Sequence, residues 1–374
     1  MSVSLDAIHA KLAEVMDPEI HRPITDLDMV RSVDVADDGA VTVGIDLTTA
    51  GCPLQGPITE DVAAHVKQVP GVTDVRVELG VMSEDQKKAL RTKLRGGVPD
   101  PVIPFTQPGN LTRIYAVTSG KGGVGKSTVT ANLAVALQSK GLKVGVVDAD
   151  IYGFSIPRML GVVNPPTKLD NMIIPPVSHG IKVISIGMFA TPGTPVIWRG
   201  PMLHRAIEQF LGDVFWGDLD VLLLDLPPGT GDIAISVAQF LPNSEILVVT
   251  TPQVAASEVA QRAGIISVQT RQHVVGVVEN MSYLQLPDGT RQEIFGSGGG
   301  KEVAHALTLE LGYKVPLMAQ VPLDIAMREG SDDGEPVVLA APESPSAQAL
   351  MQVADALAVR SRGLAGRPLG VTPK

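Results

Sequence analysis

The sequence predicts an α/β protein, a doubly wound and mostly parallel sheet preceded by a small α+β domain. Three observations predict it. Beyond residue 110 come short, nearly continuous apolar runs rich in Val, Ile and Leu: IYAVTS (114–119), KVGVVDAD (143–150), VLLLDLP (221–227), EILVVTTP (245–252) and VVGVVENM (274–281). Such runs read as strands buried on both faces, as in parallel sheets covered by crossover helices. Helix-like stretches such as TVTANLAVALQSKG (128–141) separate many of them. Residues 1–95 show a different pattern, in which helical spacing alternates with period-two strands.

In that first part, LDAIHAKLAEVM (5–16) places Leu5, Ile8, Leu12 and Val15 on one helical face, and AVTVGIDL (40–47) alternates Val41, Val43, Ile45 and Leu47 as a half-buried strand does. ITEDVAAHVKQV (58–69) returns to helix and VTDVRVEL (72–79) to strand. Residues 96–110, with the proline- and glycine-rich GGVPDPVIPFTQPG, read as a linker. Residues 111–360 form the second domain, and 361–374 read as a flexible tail. The late stretch SAQALMQVADALAV (346–359) has Leu350, Val353, Ala354 and Leu357 on one face and no basic residue before Arg360, so it reads as a core-docked helix.

A chain of 374 residues is too long for one core and suggests about two domains. A net charge of −10 argues against a broad nucleic-acid-binding surface. No apolar run approaches the ~20 residues needed to cross a bilayer, so no membrane partner is expected. The first residues lack the basic and apolar regions of a signal peptide, and the single cysteine, Cys52, forms no internal disulfide. The expected compartment is the cytoplasm.

The chemistry sits at the ends of the apolar runs, where ligands bind in doubly wound sheets. GKGGVGKS (120–127) satisfies G-x-x-x-x-G-K-[ST] between a strand and a helix. Gly120, Gly122, Gly123 and Gly125 let the main chain fold tightly, so that its N–H groups, including those of Lys121 and Val124, converge on phosphate oxygens. Lys126 is expected at the β- and γ-phosphates, the Ser127 hydroxyl on Mg²⁺ and Thr128 at the α-phosphate, making ATP and Mg²⁺ the expected cofactors. VVDAD ends a strand with Asp148 and Asp150, and VLLLDLPPGTGD ends one with Asp225. Asp148 and Asp225 are candidates for the metal, Asp150 for orienting the attacking water. Asn280 ends a later strand with an amide able to read an adenine edge.

Lys121 is the second lysine of the phosphate turn, and KGGVGKS resembles the K-G-G-x-G-K-[ST] motif of the deviant P-loop ATPases. That group includes the nitrogenase iron protein, MinD, ParA and the Mrp/ApbC carriers. The resemblance implies a homodimer in which Lys121 crosses to the partner's nucleotide, with Asp150 on the water and Asn280 on the base. DADIYGFSIPRMLG, VIWRGPMLHRAIEQFL (196–211), LLLDLPPGTGDIAIS (222–236), ENMSY and IFGSGGGKEVA (294–304) narrow it to the Mrp/ApbC iron–sulfur cluster carriers, over residues 111–345. DPEIHRPITDLDMVRSVDV (17–35) and TTAGCP (48–53) resemble the small cluster-biosynthesis domain fused to them. The implied function is an ATP-hydrolysing carrier that delivers clusters to apo iron–sulfur client proteins. A MinD/ParA-like positioning switch and a client-recruiting scaffold are the alternatives.

One departure stands out. Many relatives place a C-x-x-C pair after ENMSY to hold a 4Fe-4S cluster between two subunits; here Leu286 and Gly289 occupy those positions, and LPDGT reads as a hairpin turn. Cys52 alone is left as a thiol or cluster ligand. It reads equally as a small buried apolar residue, and the resemblance would place Asp17 and Glu19 in the same pocket.

Overall fold

The computed structural model describes residues 3–48, 55–94, 102–151, 153–170, 172–189, 200–229, 231–253, 267–286 and 288–358. The chain divides into two compact units. One comprises Met1–Val102, Asn164–Val177 and Asp213–Gly217, and the other Ile103–Val163, Ser178–Gly212 and Asp218–Lys374.

The first unit runs α1 (Leu5–Leu12), β1 (Val30–Val35), β2 (Ala40–Leu47), α2 (Gln55–Val66), β3 (Asp74–Val81) and α3 (Glu84–Leu94). Helix α1 starts at Ser4, whose hydroxyl accepts from the Ala7 amide, and buries Ile8 and Leu12. Strand β2 lies in the middle of the sheet, antiparallel to β1 and parallel to β3. Its Val41, Val43, Ile45 and Leu47 enter the core against Ile58, Val62 and Val66 of α2, as the period-two reading requires. An antiparallel pair, β6 (Thr167–Leu169) with β7 (Met172–Ile174), adds Leu169, Met172 and Ile174 to this core, and Phe215 joins them. A division of the chain into contiguous stretches omits both inserts, because their affiliation depends on contacts far apart in sequence.

The second unit is built on a nine-stranded sheet. Its strands are β4 (Arg113–Thr118), β5 (Val144–Asp148), β8 (Val177–Ser178), β9 (Ile181–Ser185), β10 (Val221–Asp225), β11 (Glu245–Thr250), β12 (Val274–Gln285), β13 (Arg291–Gln292) and β14 (Leu317–Leu323). They lie in the order β13-β12-β11-β4-β10-β5-β9-β8, with β14 also on β12. All pairings from β9 across to β12, and that of β14, are parallel, while β13 runs antiparallel. Every residue of β5 and β10 is buried, which is why their sequences read as nearly continuous apolar runs; β9 is equally buried although it carries Lys182 and Ser185.

Helix α4 (Lys126–Gln138) is buried along most of its length. The last described helix, Pro345–Ala358, packs beside it with Leu350, Val353, Ala354 and Leu357 inward. Leu350, Val353 and Leu357 each contribute about 1.5–3 kcal/mol by leaving water. Tyr115 Oη donates to the Leu357 carbonyl at 3.3 Å, and Arg113 Nη1 to that of Ala358 at 3.1 Å, tying this helix end to β4. The described end of the proline-rich stretch, Pro104–Thr106, is a short 3-10 turn that buries Phe105 in this unit. Residues 95–101 and the expected tail lie outside the described residues, among which no helix is long and apolar enough to cross a membrane.

Candidate nucleotide site

Strand β4 ends at Thr118 and α4 begins at Lys126, so Ser119 to Gly125 make one tight turn at the carboxyl end of the sheet. Gly123 and Gly125 take φ of 77° and 76°, a region costly for any residue with a Cβ. At Gly125 the demand is double, because a Cβ there would stand 2.2 Å from Asn280 Nδ2. Asn280, 4% exposed, donates that Nδ2 hydrogen to the Val124 carbonyl at 2.9 Å. Ser119 Oγ donates to the Lys121 carbonyl at 3.0 Å, and the Gly229 amide from the loop after β10 donates to the Ser119 carbonyl at 2.7 Å. The turn is therefore braced from three sides. No side chain caps the start of α4, and a Cβ on Gly123 would meet nothing within 4 Å. First-turn N–H groups without a side-chain acceptor, beneath an open glycine cradle, fit a phosphate.

The charged groups are packed just below. Lys126 is 5% exposed; its Nζ lies 2.7 Å from Asp225 Oδ2 and 3.7 Å from Asp150 Oδ2. Asp225 Oδ2 also accepts from Ser127 Oγ at 2.5 Å, and Oδ1 from Thr130 Oγ1 at 2.8 Å. Hard oxygens of Ser127 and Asp225 in direct contact suit Mg²⁺, which would be held there and neutralise phosphate charge when bound.

Asp148 lies opposite Asp225 in the β5–β10 register. Burial first, and the Asp225 charge second, push its carboxyl up to about 8. Its oxygens face the protein: Oδ1 accepts from the Asp150 amide at 3.2 Å, and Oδ2 from Ser185 Oγ at 3.0 Å and the Ile156 amide at 3.3 Å. The two aspartates of DAD are thus distinguished. Asp148, expected on the metal, instead spends both oxygens on protein groups and holds the loop that carries Asp150, while Asp150 faces Lys126.

The sequence-predicted residues Gly120, Lys121, Gly122, Gly123, Val124, Gly125, Lys126, Ser127 and Thr128 lie on this turn and helix start, with Asp148, Asp150, Asp225 and Asn280 around them. Lys121 is half-buried, and its ammonium donates to Gln253 Oε1. Asn280 spends one amide hydrogen on bracing the turn, a task its reading as a base contact did not include. Cys52 lies outside the described residues. At the hairpin that joins β12 to β13, the Leu286 amide donates to the Thr290 carbonyl at 2.9 Å, while Asp288 Oδ1 accepts from the Thr290 amide at 2.9 Å. Leu286 and Gly289 there offer no atom that ligates iron, so this hairpin does not fit a cluster. Among the described residues no three His, Cys, Asp or Glu side chains gather as a metal site. Sequence reasoning missed Thr130, Ser185 and Gln253. Thr130 alone carried a signal, standing one helical turn after Lys126.

A parallel sheet with this strand–glycine turn–helix, and Asp225 from a neighbouring strand against Ser127, has the build of a P-loop NTPase. Residues 110–358 match the family model described as NUBPL iron-transfer P-loop NTPase, and residues 5–79 the one described as iron-sulfur cluster assembly protein. The chain is 60% identical over 367 residues to the iron-sulfur cluster carrier protein of Mycobacterium tuberculosis, covering 98% of this chain and 96% of the relative. It is 42% identical over 278 residues to the one of Escherichia coli, covering 73% and 74%. Among solved structures, a nucleotide-binding protein from Archaeoglobus fulgidus in complex with ADP is similar at 36% identity and a TM-score of 0.53, over 63% of this chain and 90% of that one. The chain belongs to the iron–sulfur cluster carrier family of P-loop NTPases.

Proposed function

We propose that this chain binds ATP with Mg²⁺, hydrolyses it slowly, and uses the cycle to switch a homodimer that carries or assembles iron–sulfur clusters for apo client proteins in the cytoplasm. The observation that carries this reading is KGGVGKS, with Lys126 buried beside Asp225 and Lys121 half-buried on the same glycine turn. In it, the amides of residues 120–128 hold the phosphates and Lys126 exchanges Asp225 for phosphate oxygen. Asp150 orients water, Ser127 with Asp225 holds the metal, and Asn280 serves the base beside its bracing role. Lys121 neutralises the partner's nucleotide in trans, as an arginine finger does.

Residues 111–360 act as the ATPase, joined through 96–110 to the small domain 1–95 and followed by the tail 361–374. The cluster is cargo in this scheme. Cys52 is the single thiol of the chain, and two per dimer fall short of the four ligands usual for a cluster, so other donors complete the set.

Lys121→Ala is the test of the switch. It should retain ADP binding and lose ATP-dependent dimerisation, with turnover falling by the ~10³-fold or more that a trans cation supplies; normal turnover would end the reading. For the cargo, anaerobic reconstitution with iron and sulfide should give cluster absorbance in the wild type and less in Cys52→Ser. A wild type that stays colourless would remove the carrier half.

A further inference from the structure

Strand β11 ends at Thr250, and the chain continues Thr251–Pro252–Gln253. Parallel pairing of β11 with β4, Val248 opposite Thr118, brings this end beside the start of the phosphate turn. There the Lys121 ammonium donates to the Gln253 side-chain carbonyl, across 132 residues of sequence.

Both backbones that meet here are fixed. On one side, the Ser119 hydroxyl holds the Lys121 carbonyl at 3.0 Å. On the other, the helix Gly299–Leu311 packs directly onto Thr251–Pro252: a Cβ on Gly299 would stand 2.7 Å from the Thr251 carbonyl oxygen and from the Pro252 carbonyl group. That helix start is anchored by Glu279, fully buried, which accepts from the Gly300 amide and from Gln320 Nε2, each at 2.6 Å. Pro252 removes a further backbone freedom. The side chains themselves, half-buried Lys121 and exposed Gln253, remain free to part.

We propose that Gln253 is a positioning residue for Lys121. It holds the ammonium on its own subunit, and that bond must open before Lys121 reaches the triphosphate of a second copy. The inference rests on the trans role of Lys121. One ammonium cannot occupy both places, so the two bonds compete. A neutral amide carbonyl suits the task, because its exposed bond to a cation biases the side chain yet yields to a polyanion. A carboxylate at the same place would imitate the phosphate and retain the lysine.

The test compares wild type with Gln253→Ala, Gln253→Asn, Gln253→Glu, Lys121→Ala and the Lys121→Ala/Gln253→Glu double variant. It reads ATP-dependent dimerisation by sedimentation, ATP turnover across salt, and ADP affinity. Gln253→Ala should dimerise at about 25-fold lower protein concentration, because two such bonds open per dimer and each carries the roughly fivefold weight of one net hydrogen bond. Gln253→Asn, whose amide falls short, should behave the same way, and both should bind ADP as the wild type does. Gln253→Glu should lose about fivefold in turnover at low salt and regain it at high salt, where the exposed ion pair is screened. In the Lys121→Ala background the glutamate should change nothing further.

The inference is overturned if Lys121→Ala is defective while every Gln253 variant matches wild type. It is equally overturned if the glutamate loss persists without Lys121, or comes with lost ADP affinity, since either marks a merely structural role. Normal turnover in Lys121→Ala would instead fell the trans role, and this inference with it.

Discussion

Asp225→Asn removes one charge from the centre of the site and leaves its shape almost unchanged. The wild-type carboxylate is fully buried and takes Lys126 Nζ at 2.7 Å, Ser127 Oγ at 2.5 Å and Thr130 Oγ1 at 2.8 Å. The asparagine oxygen can still accept from one hydroxyl, but its NH₂ group has nothing to offer an ammonium. Removing one partner of a buried ion pair costs about 3–5 kcal/mol. Two effects reduce that figure here. Asp150, at 3.7 Å, still attracts Lys126, and the repulsion that Asp225 exerts on Asp148 disappears. About 2–3 kcal/mol should remain, which at ~2–4 °C per kcal/mol for a domain of this size lowers the melting temperature by about 5–10 °C. Thermal unfolding followed by circular dichroism measures it. Addition of ADP with Mg²⁺ should recover part of the loss, because phosphate gives Lys126 a new partner. ATP turnover should be lost. An unchanged melting temperature would show that Lys126 does not depend on Asp225, and the electrostatic account of the site would be wrong.

Two further outcomes can be checked independently. Gly125→Ala forces a left-handed φ of 76° on a residue with a Cβ and drives that atom to within 2.2 Å of the Asn280 amide, prising it from the Val124 carbonyl. Strain of about 1–2 kcal/mol from the backbone alone should cost roughly tenfold in ADP affinity by calorimetry, and unchanged affinity would refute the bracing role. In the first unit, burial first and the Asp17 charge second raise the Glu19 carboxyl from 4.5 to about 7. A carboxyl raised on folding contributes stability that is complete below its unfolded value and lost as pH rises through its folded one. Stability should therefore fall between about pH 4.5 and 7, by about 2–3 kcal/mol from this group. The difference between wild type and Glu19→Gln melting curves across that window isolates it; parallel curves would place Glu19 in water.

Much of the site was legible because its signals are local. The phosphate turn announces itself through glycine spacing and two lysines, and the buried strands through unbroken apolar runs. The turn at 286–290 and the docked face of Leu350, Val353, Ala354 and Leu357 follow from turn chemistry and helical period. Asp148, Asp150 and Asp225 were equally visible as residues. Their different tasks were not, since burial and neighbours, rather than residue type, set the state of a carboxyl.

By itself the sequence determined what depends on near neighbours along the chain: where β2, β3, β4, β5, β10, β11 and β12 form, where the phosphate turn needs glycine, and which functional groups that turn carries. Tertiary structure alone decided which of them meet. Thr130 reaches Asp225 across 95 residues, Ser185 reaches Asp148 across 37, Asn280 braces Val124 across 156, and the inserts around 164–177 and 213–217 join the first unit's core. Strand order in a sheet creates these pairings, and strand order is a property of how distant segments pack together, which no local stretch of residues encodes.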